Sequence, residues 1–200
     1  MNQSGFWWIL IAGAVYGVIH SLTASMWLKN AAAERCGEPC SKYYRLFYVA
    51  ISLITTPLYI GLVLLLPDAR LYIIPQPWIF ITGFIQVMAL IGALLSFKGT
   101  GLFAFTGLDS LFTKKTLPIK NTLTTDGFYK YSRHPIYFFS LVFLWLFPLM
   151  SWNFLALAIG VTLYTLIGSR FEEHKLVGEF GQAYIDYRKV TPWIIPIKLK

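Results

Sequence analysis

Apolar runs long enough to cross a bilayer recur along this chain, and no other feature narrows its fold as much. A helix needs about 20 mostly apolar residues to span the hydrocarbon core. Residues 6–28, 44–66 and 78–97 meet that length, and 135–150 and 152–168 follow almost without a break. Pro148 and the stretch Ser151-Trp152-Asn153 mark the turn between the last two, so that pair reads as a tight helical hairpin with slightly short members. Trp7 and Trp8 open the first run, where an aromatic belt meets the headgroups. Pro57 interrupts the second run, and Gln86 is a lone amide inside the third. The expected fold is therefore all-α, a polytopic membrane protein of five transmembrane helices. Composition agrees: 56% of the residues are hydrophobic and 13% charged, against roughly 45–50% and 25% in soluble domains.

The net charge of +8 would suggest nucleic acid in a soluble protein. In a membrane protein it reads first as topology, because Lys and Arg are retained on the cytosolic side. With the N-terminus outside, every one of the 17 Lys and Arg residues except Arg70 falls inside. So lopsided a partition supports five spans, N-terminus out and C-terminus in, and it excludes a nucleic-acid partner. Residues 1–5 carry no Lys or Arg, unlike the basic start of a cleaved signal peptide, so the first run is expected to be a permanent helix.

The chain reads as a single membrane domain, 1–200. A three-helix scaffold (1–97) precedes a cytosolic loop (98–134), the hairpin (135–168) and a cytosolic C-terminal segment (169–200). The loop holds an apolar stretch, 101–112, suited to lying in the membrane interface. In the C-terminal segment Glu173, Val177, Phe180, Tyr184 and Tyr187 recur at steps of four and three, so they share one face of an amphipathic helix. Gly178 and Gly181 weaken that helix and Pro192 ends it.

Several side chains ask for an explanation. Gly13-xxx-Gly17 matches the small-residue helix-packing motif. His20 is ionisable at membrane depth, a functional candidate by default, although a neutral His also serves as a hydrogen-bonding group between helices. Cys36 and Cys40 fit neither CxxC nor a zinc set, so they read as bystanders, with a redox or metal pair as the alternative. No metal site is expected. The strongest signal is Tyr131-Ser132-Arg133-His134-Pro135-Ile136-Tyr137. Pro suits the first helical position, where its missing N–H would have no partner, so Arg133 and His134 sit at the membrane surface. Arg170-Phe171-Glu172-Glu173-His174 follows the fifth run directly. The hairpin brings the two blocks to one membrane face, where adjacent acids are costly unless paired or solvated. Arg133, Arg170 or a cationic ligand would serve as partner.

These residues carry a resemblance. The run from Leu123 to Tyr137, LTTDGFYKYSRHPIY, resembles the signature of the isoprenylcysteine carboxyl methyltransferase family. Glu172-Glu173, followed by Phe180-Gly181-xx-Tyr184-xx-Tyr187, is similar to the continuation of the same signature, and the likeness covers roughly residues 120–195. In the first half, His20-Ser21-Leu22-Thr23-Ala24-Ser25 and Tyr44-Arg45-Leu46-Phe47-Tyr48 are similar to the prokaryotic NnrU-like and methanethiol methyltransferase-like branch. The resemblance implies a methyltransferase using S-adenosylmethionine, bound by the cytosolic C-terminal segment, in a prokaryotic plasma membrane. It implies a site lined by Arg133, His134, Pro135 and Tyr137 from one side and by Glu172, Glu173, Tyr184 and Tyr187 from the other. Arg133, His134 and Glu173 take the catalytic roles. The acceptor is a small or lipophilic molecule reaching the site beside membrane lipid.

Elementary chemistry agrees with that implication. Methyl transfer from a sulfonium is an in-line displacement that needs positioning and exclusion of water. Acids suit the ammonium or ribose of the donor, Arg and His suit a carboxylate, and aromatic faces suit the sulfonium. An acceptor carboxylate is already anionic, so Arg133 need only orient it. An acceptor thiol, of pKa about 8.5, benefits from a nearby positive field, and an amine needs a true base. Thiol and carboxylate are favoured. A non-enzymatic membrane subunit or a small transporter is the alternative, but neither gathers Arg, His and paired Glu at one hairpin mouth.

Overall fold

The computed structural model describes residues 4–97 and 123–197. The apolar stretch 101–112 and the lysines at 98, 114, 115, 120, 198 and 200 lie outside the described residues. The described chain is mainly helical: α1 (Phe6–Thr23), α2 (Met26–Cys36), α3 (Glu38–Leu65), β1 (Arg70–Ile73), α4 (Trp78–Ser96), α5 (Pro135–Trp145), β2 (Leu149–Ser151), α6 (Trp152–Phe180) and α7 (Gln182–Val190). Four of these, α1, α3, α4 and α6, are long and apolar enough to cross a membrane. Leu53, Leu58, Leu64 and Leu65 stand exposed along α3, a surface suited to lipid rather than water.

The boundaries differ from the sequence expectation at three places. The first apolar run stops being helical at Thr23. Ser25 turns out of the helix and caps α2, its Oγ accepting from the Leu28 N–H at 3.2 Å. The expected fourth span, 135–150, is helical only to Trp145. At about 1.5 Å per residue α5 covers roughly 16 Å, half of a bilayer core. Pro148 disfavours helical geometry at Phe147 and cannot donate to Leu144. The chain instead goes extended, with the Ile74 N–H donating to the Pro148 carbonyl at 2.9 Å. The third difference is α6, which continues without a break past Gly168 to Phe180.

The chain divides into two compact units. Among the described residues the first contains α1–α3 and the start of α6, to Gly160. Gly13 serves packing there: a Cβ on it would lie 2.5 Å from the Tyr59 hydroxyl. His20 hydrogen-bonds between helices, Nε2 to the Tyr48 hydroxyl at 2.5 Å and Nδ1 to Ser52 Oγ at 3.3 Å. Asn153, fully buried, donates from Nδ2 to the carbonyls of Val63 and Leu66, satisfying the end of α3. Cys36 and Cys40 are free thiols at the α2–α3 turn.

The second unit contains β1, α4, α5, β2, the remainder of α6 and α7. β1 and β2 pair antiparallel, Ile73 opposite Leu149 and Arg70 opposite Ser151. α4 and α5 pack closely because Gly92 leaves room for Phe139, whose ring would stand 2.6 Å from a Cβ at that position. Gln86, the lone amide, donates to the Phe143 carbonyl at 2.9 Å. At the other end of α5 lies the cluster of ionisable residues.

Candidate active site

Local sequence explains how the cluster is presented. Gly127, at φ +62, opens a short 3-10 turn over Gly127–Lys130. Pro135 then starts α5, buried and at the position where its missing N–H costs nothing. Between them, Ser132, Arg133 and His134 run beside the C-terminal strap that follows α7. The Arg133 N–H donates to the carbonyls of Pro192 and Trp193, and the His134 N–H to that of Trp193. Ser132 Oγ lies 2.8 Å from the Ile194 carbonyl and 3.0 Å from that of Trp193.

Across from this loop, Glu172 and Glu173 sit one turn beyond the membrane-length part of α6. Arg133 Nε donates to Glu173 Oε1 at 2.6 Å, and both side chains are nearly buried. Arg133 Nη1 donates to the carbonyls of Arg188 at 3.0 Å and Thr191 at 2.7 Å. Glu172 is half-exposed and accepts from the Tyr137 hydroxyl at 2.8 Å. The His134 ring stacks on Tyr137, centroids 5.3 Å apart. Its Nδ1 lies 3.6 Å from Glu172 Oε2 and its Nε2 3.5 Å from Glu173 Oε1. Those are close electrostatic approaches rather than formed hydrogen bonds.

Burial pushes the His134 imidazole below its ordinary value of 6.5, outweighing the two carboxylates, and Arg133 pushes the same way as burial. His134 is thus neutral at neutral pH. Burial, helped by the Glu172 charge, raises the Tyr129 hydroxyl to about 12. Tyr184 and Tyr187 are also held protonated, chiefly by burial. Tyr187 donates to the Tyr129 carbonyl at 2.6 Å. Arg133 and Glu173 pair with each other, which leaves Glu172 as the half-exposed carboxylate of the site.

Arg133, His134, Pro135, Tyr137, Glu172, Glu173, Tyr184 and Tyr187 all meet at this end of the unit. Arg170, a candidate partner for the acids, instead stacks on the Trp193 ring at 3.8 Å. Trp193 carries no signal in the sequence, and Ser132, though inside the motif, has no role there: their contacts join segments about sixty residues apart, and no local pattern announces them. Three buried polar atoms of this cluster, His134 Nε2, Tyr184 Oη and Trp193 Nε1, form no hydrogen bond among the described residues. An unpartnered buried polar atom is costly unless a ligand satisfies it. Unpartnered polar atoms, the half-exposed Glu172 carboxylate and stacked aromatic faces fit a cationic ligand carrying hydroxyl or amino groups.

Known proteins place these features in context. The phospholipid methyltransferase family model matches residues 78–183, from α4 into the start of α7, and so takes in both blocks. Methanethiol S-methyltransferase 2 of Bradyrhizobium diazoefficiens is 30% identical over 197 residues, 94% of this chain and 71% of the relative. Methanethiol S-methyltransferases of Crocosphaera subtropica and Pseudomonas deceptionensis are 36% and 37% identical over 83 and 89 residues. Those two matches cover 42% and 44% of this chain and only about a third of each relative, 32% and 33%. No solved structure matches the chain.

Proposed function

The chain belongs to the phospholipid methyltransferase family, and we propose that it methylates a small thiol with S-adenosylmethionine at the cytosolic face of the membrane. Membership makes it a membrane methyltransferase and bears out the resemblance to isoprenylcysteine carboxyl methyltransferases. The alternative of a non-enzymatic subunit or transporter gives way to it.

One observation carries the proposal: a neutral, buried His134 stands between two carboxylates with Nε2 unpartnered. The same cluster fits the donor. Glu172, half-exposed and negatively charged, receives the ammonium. Tyr184 Oη and the face of the His134–Tyr137 stack complete the cradle. When bound, the donor supplies an electrophilic methyl group on a cationic sulfur. His134 Nε2 would accept the proton of the acceptor S–H, and the acceptor sulfur would take the methyl group as the donor's own C–S bond breaks, its sulfur leaving as a neutral thioether. A thiol of pKa about 8.5 is a weaker acid than imidazolium. The flanking Glu172 and Glu173 narrow that gap by stabilising the imidazolium as it forms. The names of the relatives favour a thiol over the carboxylate left open by sequence. A cavity of about 230 Å³, lined by Phe128, Phe138, Phe139 and Pro135, supports a small lipophilic acceptor.

Topology belongs to the same proposal. The N-terminus lies outside and the C-terminus inside. α5, together with the extended residues through β2, makes the fifth crossing. Beyond the turn at residues 146–148, the three strand residues of β2 at about 3.3 Å each add roughly 10 Å to α5. The test is calorimetric binding of S-adenosylmethionine to detergent-purified protein, followed by product analysis with short alkyl thiols. Thioether formation that depends on donor supports the proposal. Absence of donor binding at millimolar concentration sinks it.

A further inference from the structure

We propose that Arg133 is a positioning residue: its guanidinium latches α7 and the strap behind it onto the glutamate turn of α6, and it touches neither methyl donor nor acceptor. The inference rests on the methyltransferase reading for what the latch serves, while the latch itself needs no ligand.

Three hydrogen bonds define the latch. Nε is committed to Glu173 Oε1, and Nη1 to the carbonyls of Arg188 and Thr191. Thr191 caps the C-terminus of α7 and Arg188 lies in its last turn, so both are carbonyls that the helix itself leaves open. One planar group thus joins two elements. Nε takes the carboxylate of α6 and Nη1 the end of α7, a span that the point charge of a lysine does not reproduce. The main chain of the same residue reinforces the clasp through the carbonyls of Pro192 and Trp193.

α7 depends on such a clasp. It has nine residues, too few to be stable as an isolated helix. Gly181, at φ +55, separates it from α6, so no helical hydrogen-bond ladder carries over unbroken. Among the described residues its other ties include the buried Tyr184 and the Tyr187 bond to Tyr129. Tyr184 reaches the site only while α7 stays docked, and the Glu173 carboxylate is held by the same guanidinium. Arg133 therefore sets both walls of the proposed donor site from behind, with its Nε and Nη1 committed to the latch.

The test uses the full chain in nanodiscs, with Arg133→Lys, Arg133→Gln and Tyr187→Phe. Backbone hydrogen exchange over residues 182–194 is followed without ligand. The Kd for S-adenosylmethionine is measured by calorimetry, and KM and kcat for a short alkyl thiol at saturating donor. Both Arg133 variants should exchange at least tenfold faster over 182–194 and bind the donor at least tenfold more weakly. Acceptor KM should stay within twofold, and most of kcat should return at saturating donor. Tyr187→Phe should shift exchange and donor Kd in the same direction by less, and it decides the matter if the Arg133 variants do not fold. Unchanged exchange and donor Kd with a collapsed kcat or a raised acceptor KM would overturn the latch and place Arg133 on the reacting molecules. An unchanged Tyr187→Phe protein, where neither Arg133 variant folds, overturns it as well. A wild-type protein that binds no donor and methylates no thiol refutes the proposed function, while the exchange measurement still decides the latch.

Discussion

Arg133 Nε and Glu173 Oε1 meet at 2.6 Å across forty residues of sequence, with 9% and 4% of their side chains exposed. A charge pair that dry contributes little net stability when intact, but breaking it is costly because one charge stays buried alone. One turn of α6 thus holds two acids in opposite states: Glu173 is spent on structure and Glu172 is open to a ligand.

Replacing each acid by its amide separates those states. Glu173→Gln should destabilise the protein by roughly 3 kcal/mol, the low end for breaking a buried pair, since the amide oxygen still accepts a bond from Arg133. Glu172→Gln should leave stability within about 0.5 kcal/mol. It should weaken S-adenosylmethionine binding about ten- to a hundredfold, because a contact to a cation is lost. Thermal unfolding in detergent and calorimetry on both variants check this. Equal destabilisation of the two would show that Glu172 is structural as well.

Much of this site was legible because each block carries its own local logic. A proline that can only start a helix puts Arg133 and His134 at a helix mouth, and two acids after an apolar run mark an exit from the membrane. What hydropathy reports is solvent, however, and not hydrogen bonding. The charges at Arg170–His174 signalled the end of a span, yet α6 runs on to Phe180 because leaving the bilayer does not break a helix. Gly178 and Gly181 carry the same propensity cost, and only the backbone shows that Gly181 takes the left-handed turn. The turn and short strand after Trp145 were hidden for a related reason: apolar character continues through Pro148 while the helix does not. Ser25, by contrast, was a readable cap inside an apolar run whose length drew attention away from it.

Packing between α4 and α5 offers a test that involves no ligand. A Cβ at Gly92 would stand 2.6 Å from the Phe139 ring, whereas one at Gly83 meets nothing within 4 Å. Gly92→Ala should cost about 1–3 kcal/mol through overpacking. Gly83→Ala should be neutral or slightly stabilising, since Ala is the better helix former. Melting temperatures of the two proteins in the same detergent decide it. A Gly92→Ala protein as stable as wild type would mean that α5 does not pack on α4 this closely.

The charge partition predicts a topology that reporters can read. Fusions at Asp68 and at the C-terminus should report opposite sides, outside for the first and inside for the second. The same side for both would remove the five-crossing arrangement, and with it the cytosolic placement of His134 and Glu172.

The last prediction concerns pH and follows from the neutral His134. Burial lowers its folded-state pKa below the ordinary 6.5, against the pull of two carboxylates. In the window between the lowered value and 6.5 the unfolded chain binds more protons than the folded one, so stability rises with pH there. This contribution is fully present above 6.5 and is lost as pH falls through the folded value. Activity should follow the same group, because His134 Nε2 must be unprotonated to accept the thiol proton. The acid limb of kcat/KM for a short alkyl thiol should therefore have its midpoint below 6.5. Glu172→Gln removes a charge that raises the His134 pKa, so in that variant the limb should move further down. An acid limb at or above 6.5, or one that rises in Glu172→Gln, would show that His134 is not the base.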